Sequence, residues 1–253
     1  MRALYTAATG MHAAQVQIEN IANNLANAST TGFKKSRETF TDLMYQQVGG
    51  GKDPIQMGSG SRLGGLARDF RVGHPIATGS DTDMMVNGPG FFKVTTPDGS
   101  TRYTRDGHFR VNSEGQVTTQ EGNLVEPEIT VGPGETLRVD QFGNITRETE
   151  SDDGGYESVA VGTLTLVTFA NPGGLEAVGG NAYVETSASG EAQSGNPGDV
   201  GVGTILQGTL EGSNVDAAEE LVAMITAQRG YELSSKVIQA ADEMMQTAAS
   251  LRR

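Results

Sequence analysis

The stretch LYTAATGMHAAQVQIENIANNLANASTTGFK, residues 4–34, decides the reading of the chain. Within it Leu4, Met11, Ile18 and Leu25 recur every seven residues, and Ala7, Ala14, Ile21 and Ala28 form an adjoining row. That spacing places both rows on one face of an α-helix and makes an apolar stripe. Gln15, Gln17, Glu19 and Asn20 occupy other faces. Thr30-Thr31-Gly32 ends the helix, with Gly32 suited to the left-handed cap conformation. Asn20, Asn23, Asn24 and Asn27 crowd one side, although Asn is a mediocre helix former. The cost is understandable if each amide finds a partner on a neighbouring copy and fixes register.

The far end mirrors this pattern. Ser213 or Asn214 is expected as the N-cap, and Asp216, Glu219 and Glu220 load the first turns with acid that complements the helix dipole. Leu221, Met224, Ile225, Tyr231, Ile238 and Met245 make one row. Ala227, Val237, Ala241, Met244, Ala248 and Leu251 make the row beside it, and Arg252 and Arg253 stand at the favoured C-terminal end. Gly230 weakens this helix by about 1 kcal/mol relative to Ala.

Between the ends the texture changes. Gly49-Gly50-Gly51, Gly58-Ser59-Gly60 and Gly64-Gly65 punctuate a segment expected to be loop-like or extended. From Asp83 onward, short apolar runs alternate with turns: Phe91–Val94 before Pro97-Asp98-Gly99, Thr101–Thr104 before Asp106-Gly107, and Phe109–Val111 before Glu114-Gly115. Further strands are expected at Gln116–Thr119, Leu137–Val139, Ile145–Arg147, Leu164–Phe169 and Tyr183–Thr186. This is the pattern of an antiparallel β domain. Residues 187–204 read as a loop leading to the last helix.

The expected fold class is α+β: N- and C-terminal amphipathic helices paired as a coiled-coil-like bundle, with a central antiparallel β-rich domain. Residues 1–45 form the N-terminal helical part, 46–80 an extended insertion, 81–205 the β domain and 206–253 the C-terminal helix.

Charge narrows the function. The 253 residues carry a formal −13, which argues against nucleic acid and anionic membrane surfaces as partners. Residues 1–40 hold +2 and 214–253 hold −2, so 41–213 carry −13. The ends are expected to pack and the acidic centre to face water. The absence of Cys excludes disulfides and thiolate metal sites, and Met1–Thr6 lacks the unbroken apolar core of a signal peptide.

A single amphipathic helix leaves its stripe in water, so the ends must pair with each other, with other copies, or with both. The two rows of the C-terminal helix cover an arc wider than one partner satisfies. Identical helices associating head-to-tail would build an open filament. A closed coiled-coil dimer, or a helical hairpin packed on its own β domain, fits the same periodicity.

Two long motifs add to this reading. Ile21–Lys34 resembles the signature of the flagellar rod and hook axial family. Leu210–Asp216, then Glu219–Val222 and Ile225–Glu232, resemble the other end of the same family. Val86–Phe92, Tyr103–Phe109, Leu164–Phe169 and the insertion near 46–70 resemble its distal rod branch. Gly230, where a small helix former is usual, and the glycine-rich Gly49–Gly51 depart from the pattern. The resemblance implies a structural subunit of a helical homopolymer, without cofactor, in the periplasm-spanning rod of the basal body. It implies export without a cleaved signal through the flagellar export apparatus. The implied neighbours are proximal rod subunits, hook or hook-junction subunits, and the surrounding periplasmic and outer-membrane rings. No membrane insertion is expected. The expected subunit interface comprises Leu4, Met11, Ile18, Ile21, Asn23, Asn24, Leu25 and Asn27, with Leu221, Met224, Ile225, Tyr231, Ile238, Met244 and Met245. Proximal rod and hook subunits are the near alternatives; a stalked adhesin and a cell-wall glycosidase are the distant ones.

Sites of other chemistry are poor. Gly49-Gly50-Gly51-Lys52-Asp53 lacks both the first glycine and the hydroxyl of a phosphate loop. Asp81-Thr82-Asp83 with Asn87-Gly88 misses calcium-loop spacing, and Asp152-Asp153 beside Gly154-Gly155 reads as an exposed turn. His12, His74 and His108 are far apart. Lys34-Lys35-Ser36-Arg37 fits an anion patch, but is read in preference as partnering acidic groups of a neighbouring subunit or supporting the helix end.

Overall fold

The heptad-spaced ends fold into two helices, α1 (Arg2–Ala26) and α2 (Ala217–Ser250), with many short strands between them. The structure is a computed structural model that describes residues 2–48, 55–150 and 156–250. Gly49–Asp53, Asp152-Asp153 and the terminal Leu251, Arg252 and Arg253 lie outside these. The chain divides into two units: Met1–Ala28 with Ser36–Arg68 and Val215–Arg253, and Ser29–Lys35 with Asp69–Asn214.

In the first unit α1 and α2 pack antiparallel. Asn24 bonds to Glu220, and a Cβ on Gly10 would lie 3.2 Å from Ser234 Oγ. This register sets Arg2 opposite Asp242, so the last turns of the 34-residue α2 extend past the start of α1. The buried apolar positions recur at multiples of seven and most are alanine: Ala7, Ala14 and Ile21 on α1, and Ala227 and Ala241 on α2. Small side chains let the two backbones approach closely. The expected first row, Leu4, Met11, Ile18 and Leu25, is only half-buried, at the flank of this seam.

The helix ends differ in part from expectation. Gly32 takes the left-handed conformation, with φ +68°, after turns that follow Ala26. The cap of α2 is Asp216, whose Oδ1 accepts the N–H groups of Ala218 at 2.8 Å and Glu219 at 3.3 Å. Asn214 is occupied otherwise: its side chain accepts from Lys35 N and donates to Asp69 O, clamping two extended segments.

The segment expected to be an extended insertion is a hairpin, and it begins within the part assigned to the N-terminal helix. Ser36–Asp42 pairs antiparallel with Ser61–Arg68, and Gln46–Val48 with Ile55–Met57. A register shift at Thr39/Phe40 faces Gly64 and Gly65. There a Cβ on Gly64 would meet Thr39 O at 3.1 Å, so the glycine permits close strand approach.

The second unit is antiparallel β. A nine-stranded sheet centres on Phe91–Thr95, flanked by Thr101–Thr104, Leu124–Glu126 and Leu166–Thr168. A three-stranded sheet runs Glu135–Val139, Asn144–Glu150, Tyr156–Thr163. Side-chain alternation splits the core between two faces. Phe92, Val94 and Leu166 join Met84, Val86, Phe109, Leu164 and Ile205 in one cluster. Phe91 and Val167 join Tyr103, Phe169 and Tyr183 in the other. Residues 206–216, expected to be helical, include strand ends and the extended approach to α2: Thr204–Gln207 pairs with Met84–Asn87, and Thr209–Glu211 with Pro75–Ala77. The expected loop 187–204 holds the short strand Gln193–Gly195.

Candidate functional site

The first candidate is the surface that the helical unit leaves uncovered. Only Glu220, Ala227 and Ala241 are buried on α2 among the described residues. Of the expected interface residues, Leu221, Ile225, Tyr231, Met244 and Met245 are exposed, with Met244 at 66%; Met224 and Ile238 are half-buried. Val222, Leu233 and Val237 are exposed as well. Val222 and Leu233 were not singled out by the sequence, because they lie off its two heptad rows. The hint was that large apolar residues occur almost all round α2, which no single antiparallel partner can cover.

Two expected interface residues are used inside the chain. Ile21 is 3% exposed and Asn24 1%. The Asn24 amide donates to Ser36 O at 2.9 Å and Glu220 Oε2 at 3.2 Å, and its oxygen accepts Ser36 N at 3.0 Å. Asn20 donates to Ser36 O and Glu38. Asn20 and Asn24 therefore fix register between α1, α2 and the hairpin within one chain. The reason is the hairpin, which brings unpaired backbone groups of Ser36 onto the asparagine side of α1. Asn27 turns back to Asn23 O at 2.9 Å, and Asn23 stays exposed.

The second feature, in the β unit, is a buried charged clasp. Lys34 was expected to face acidic groups of a neighbour or support the helix end. It is instead fully buried, and its Nζ donates to Glu211 Oε1 at 2.6 Å and Arg71 O at 2.8 Å. Glu211 Oε1 also accepts Gly73 N at 2.8 Å, while its Oε2 lies 3.4 Å from Arg105 Nη1. Arg105 further donates to Val86 O and Gly88 O. Burial pushes the Lys34 ammonium below its ordinary range, and the Glu211 charge partly restores it. Burial lowers Arg105 likewise, again opposed by Glu211. The sequence hid this clasp, since its members are separated by tens of residues and Lys34 looked like part of an exposed basic run.

Elsewhere, His108 Nδ1 sits 2.9 Å from Asp83 Oδ1, and Thr78 Oγ1 donates to Asp83 Oδ2 at 2.6 Å. Among the described residues no group of three His, Asp or Glu side chains is placed to hold a metal. Nor is any helix long and apolar enough to cross a membrane.

Three family models match in chain order. Residues 4–34 match the flagella basal body rod protein family. Residues 85–147 match the D1 domain of flagellar hook protein FlgE/F/G, and 206–251 the C-terminal part of flagellar basal body rod FlgEFG proteins. Each matched segment contributes one residue to the clasp: Lys34, Arg105 and Glu211. Paired terminal helices, a β-rich middle of the chain and these matches in order define a subunit of the flagellar rod and hook class. The flagellar basal-body rod protein FlgG of Caulobacter vibrioides is 42% identical over 100% of both chains. That of Borreliella burgdorferi is 40% identical over 100% of this chain and 99% of the relative. The rod protein FlgF of Caulobacter vibrioides is less similar, 32% identical over 97% of this chain and 96% of its own. The chain belongs to the FlgG family of flagellar basal-body rod proteins, and is a structural subunit of the distal rod. The family is structural, not enzymatic.

Proposed function

We propose that this subunit polymerises into a rigid, hollow helical shaft that transmits torque across the periplasm and lets exported subunits pass. The helical unit lines the tube, α1 and α2 pairing as a coiled-coil-like seam, and the acidic β unit faces outward. Neighbours in the assembly are proximal rod subunits, hook or hook-junction subunits and the periplasmic and outer-membrane rings. The chain reaches its place through the flagellar export apparatus. The helical part, the 46–80 segment and the 81–205 region act as tube, brace and wall respectively.

One observation carries this reading: Leu221, Val222, Ile225, Tyr231, Leu233, Val237, Met244 and Met245 of α2 are exposed, while the apolar residues it buries are Ala227 and Ala241. Covering one such Leu or Ile contributes about 1.5–3 kcal/mol, so a stripe of them supports assembly. Leu221, Ile225, Tyr231, Met244 and Met245 contact copies directly, joined by Met224 and Ile238 at the flank. On α1, Leu4, Met11, Ile18, Leu25 and the exposed Asn23 line the interface, with Ile21, Asn24 and Asn27 setting the helix pair that presents it.

The double variant Ile225→Asp with Leu233→Asp tests this. Both positions are exposed, so the variant chain is expected to keep the circular dichroism and unfolding midpoint of the unaltered chain within about 0.5 kcal/mol. In sedimentation and electron microscopy it is expected to form no rods at concentrations where the unaltered chain does. Normal rods from the double variant would refute the assignment of this stripe.

A further inference from the structure

The β unit carries a hole and a knob of opposite electrical character. The hole is an open cleft of about 370 Å3 whose lining includes Phe70, Val72, Pro89, Phe91, Phe169 and Arg105. Its wall is aromatic, with Phe70 and Phe169 edge-on to Phe91 at 5.3 and 5.7 Å between ring centres. The Arg105 guanidinium lies 5.2 Å from the centre of the Phe91 ring, and its buried Nε has no hydrogen-bond partner among the described residues. Behind it, Lys34 and Arg105 share the single carboxylate of Glu211, and Arg71 at the rim is paired with Asp69. Cations thus exceed carboxylates by one in a region of low dielectric, which gives the cleft a positive field.

The knob is built from two neighbouring turns. Val200 is fully exposed, and Phe142, at 51% exposure, is the exposed phenylalanine of this unit among the described residues. A Cβ on Gly198 would lie 3.0 Å from the Phe142 ring, so the two turns touch. Asp140 and Asp199 flank the apolar tips; each carboxylate accepts a backbone N–H of its own turn and remains exposed. The knob is therefore apolar with acidic shoulders, complementary to an aromatic cleft with a cationic floor. Cleft and knob also belong to different cores. Phe91 and Phe169 pack in one, whereas Ile145 and Val202, beside the two turns, pack in the other. Surfaces that match each other but not themselves join copies head-to-tail, and such contacts continue along a filament.

We propose that the Phe142–Val200 knob of one copy seats in the Phe91–Phe169 cleft of the next, joining β units within the polymer. The proposal rests on the reading of the chain as a self-assembling subunit.

The sequence contains no cysteine, so disulfide trapping is clean. Chains carrying Val200→Cys and chains carrying Val72→Cys, both surface positions, are mixed, assembled and oxidised. A disulfide needs Cα atoms within about 7 Å, so a cross-linked dimer forms only where knob meets cleft. The expected result is a dimer in the mixture, about tenfold above that from Val200→Cys mixed with Val178→Cys, an exposed position outside the cleft. Neither single variant alone should cross-link. Rods that form without the mixed dimer overturn this contact and leave the rod reading standing. A dimer from Val200→Cys alone indicates a two-fold contact and overturns it too. Failure of the unaltered chain to form any rod under assembly conditions overturns both readings.

Discussion

Glu211→Ala is expected to destabilise the β unit by about 3–5 kcal/mol, the usual cost of stripping the partner from buried charges. The substitution leaves Lys34 at 0% side-chain exposure and Arg105 at 2% with no carboxylate between them. It also takes the acceptor from Gly73 N. Urea unfolding followed by circular dichroism measures the loss. Arg71→Ala removes an exposed pair with Asp69 and should cost about 1 kcal/mol or less. The pH dependence has a definite sign. Burial already holds the Lys34 pKa below its ordinary 10.5, so its charged form is disfavoured in the fold. Stability from such a group rises with pH between the folded value and 10.5. Without Glu211 the folded value falls further, so the deficit is full below that lowered value and shrinks as pH rises from it toward the folded value of the unaltered chain. A deficit that is flat with pH would mean the loss comes from packing alone.

Gly107→Ala should be as severe, about 4 kcal/mol or more, because no rotamer or small shift relieves it. A Cβ at this position would lie 1.5 Å from Met84 O. The same backbone approach carries the hydrogen bond from Met84 N to Gly107 O at 3.0 Å, and Met84 is fully buried in the larger core cluster. Alanine must push the two segments apart and open that cluster. Gly99→Ala is the contrast: its φ of +84° costs something, but nothing lies within 4 Å of the added methyl. The measurement is the unfolding midpoint of both variants. Equal midpoints would show that left-handed backbone, and not close approach, dominates.

These two positions show where sequence reading succeeds and where it stops. Heptads are local, so α1 and α2 were legible from the stripes of Leu4–Ala28 and Leu221–Met245. Turn chemistry is also local, so strands such as Phe91–Thr95 and Thr101–Thr104 were placed by the Asp-Gly signals after them. Asp106-Gly107 was read as one more turn. What makes Gly107 indispensable is a backbone that approaches from Met84, which no local pattern reveals. The clasp is hidden for the same reason, since Lys34 and Glu211 are 177 residues apart. The hairpin Ser36–Arg68 was missed because its glycines look like loop punctuation, although Gly64 serves strand approach. Its presence draws Asn20 and Asn24 into bonds within one chain. The apolar face of α2 was legible as an excess of large residues, and its exposure is what that excess becomes when small residues fill the seam.

The central claim is that this exposed face waits for sister copies. Methionine oxidation by dilute peroxide, mapped by mass spectrometry, tests it most directly. Met244 and Met245 stand at 66% and 42% exposure, and Met84, at 0%, is an internal reference. The account predicts that both oxidise readily in dilute monomer and become about tenfold slower in assembled rods, with Met84 protected throughout. Rods in which Met244 and Met245 oxidise as fast as in the monomer would contradict it.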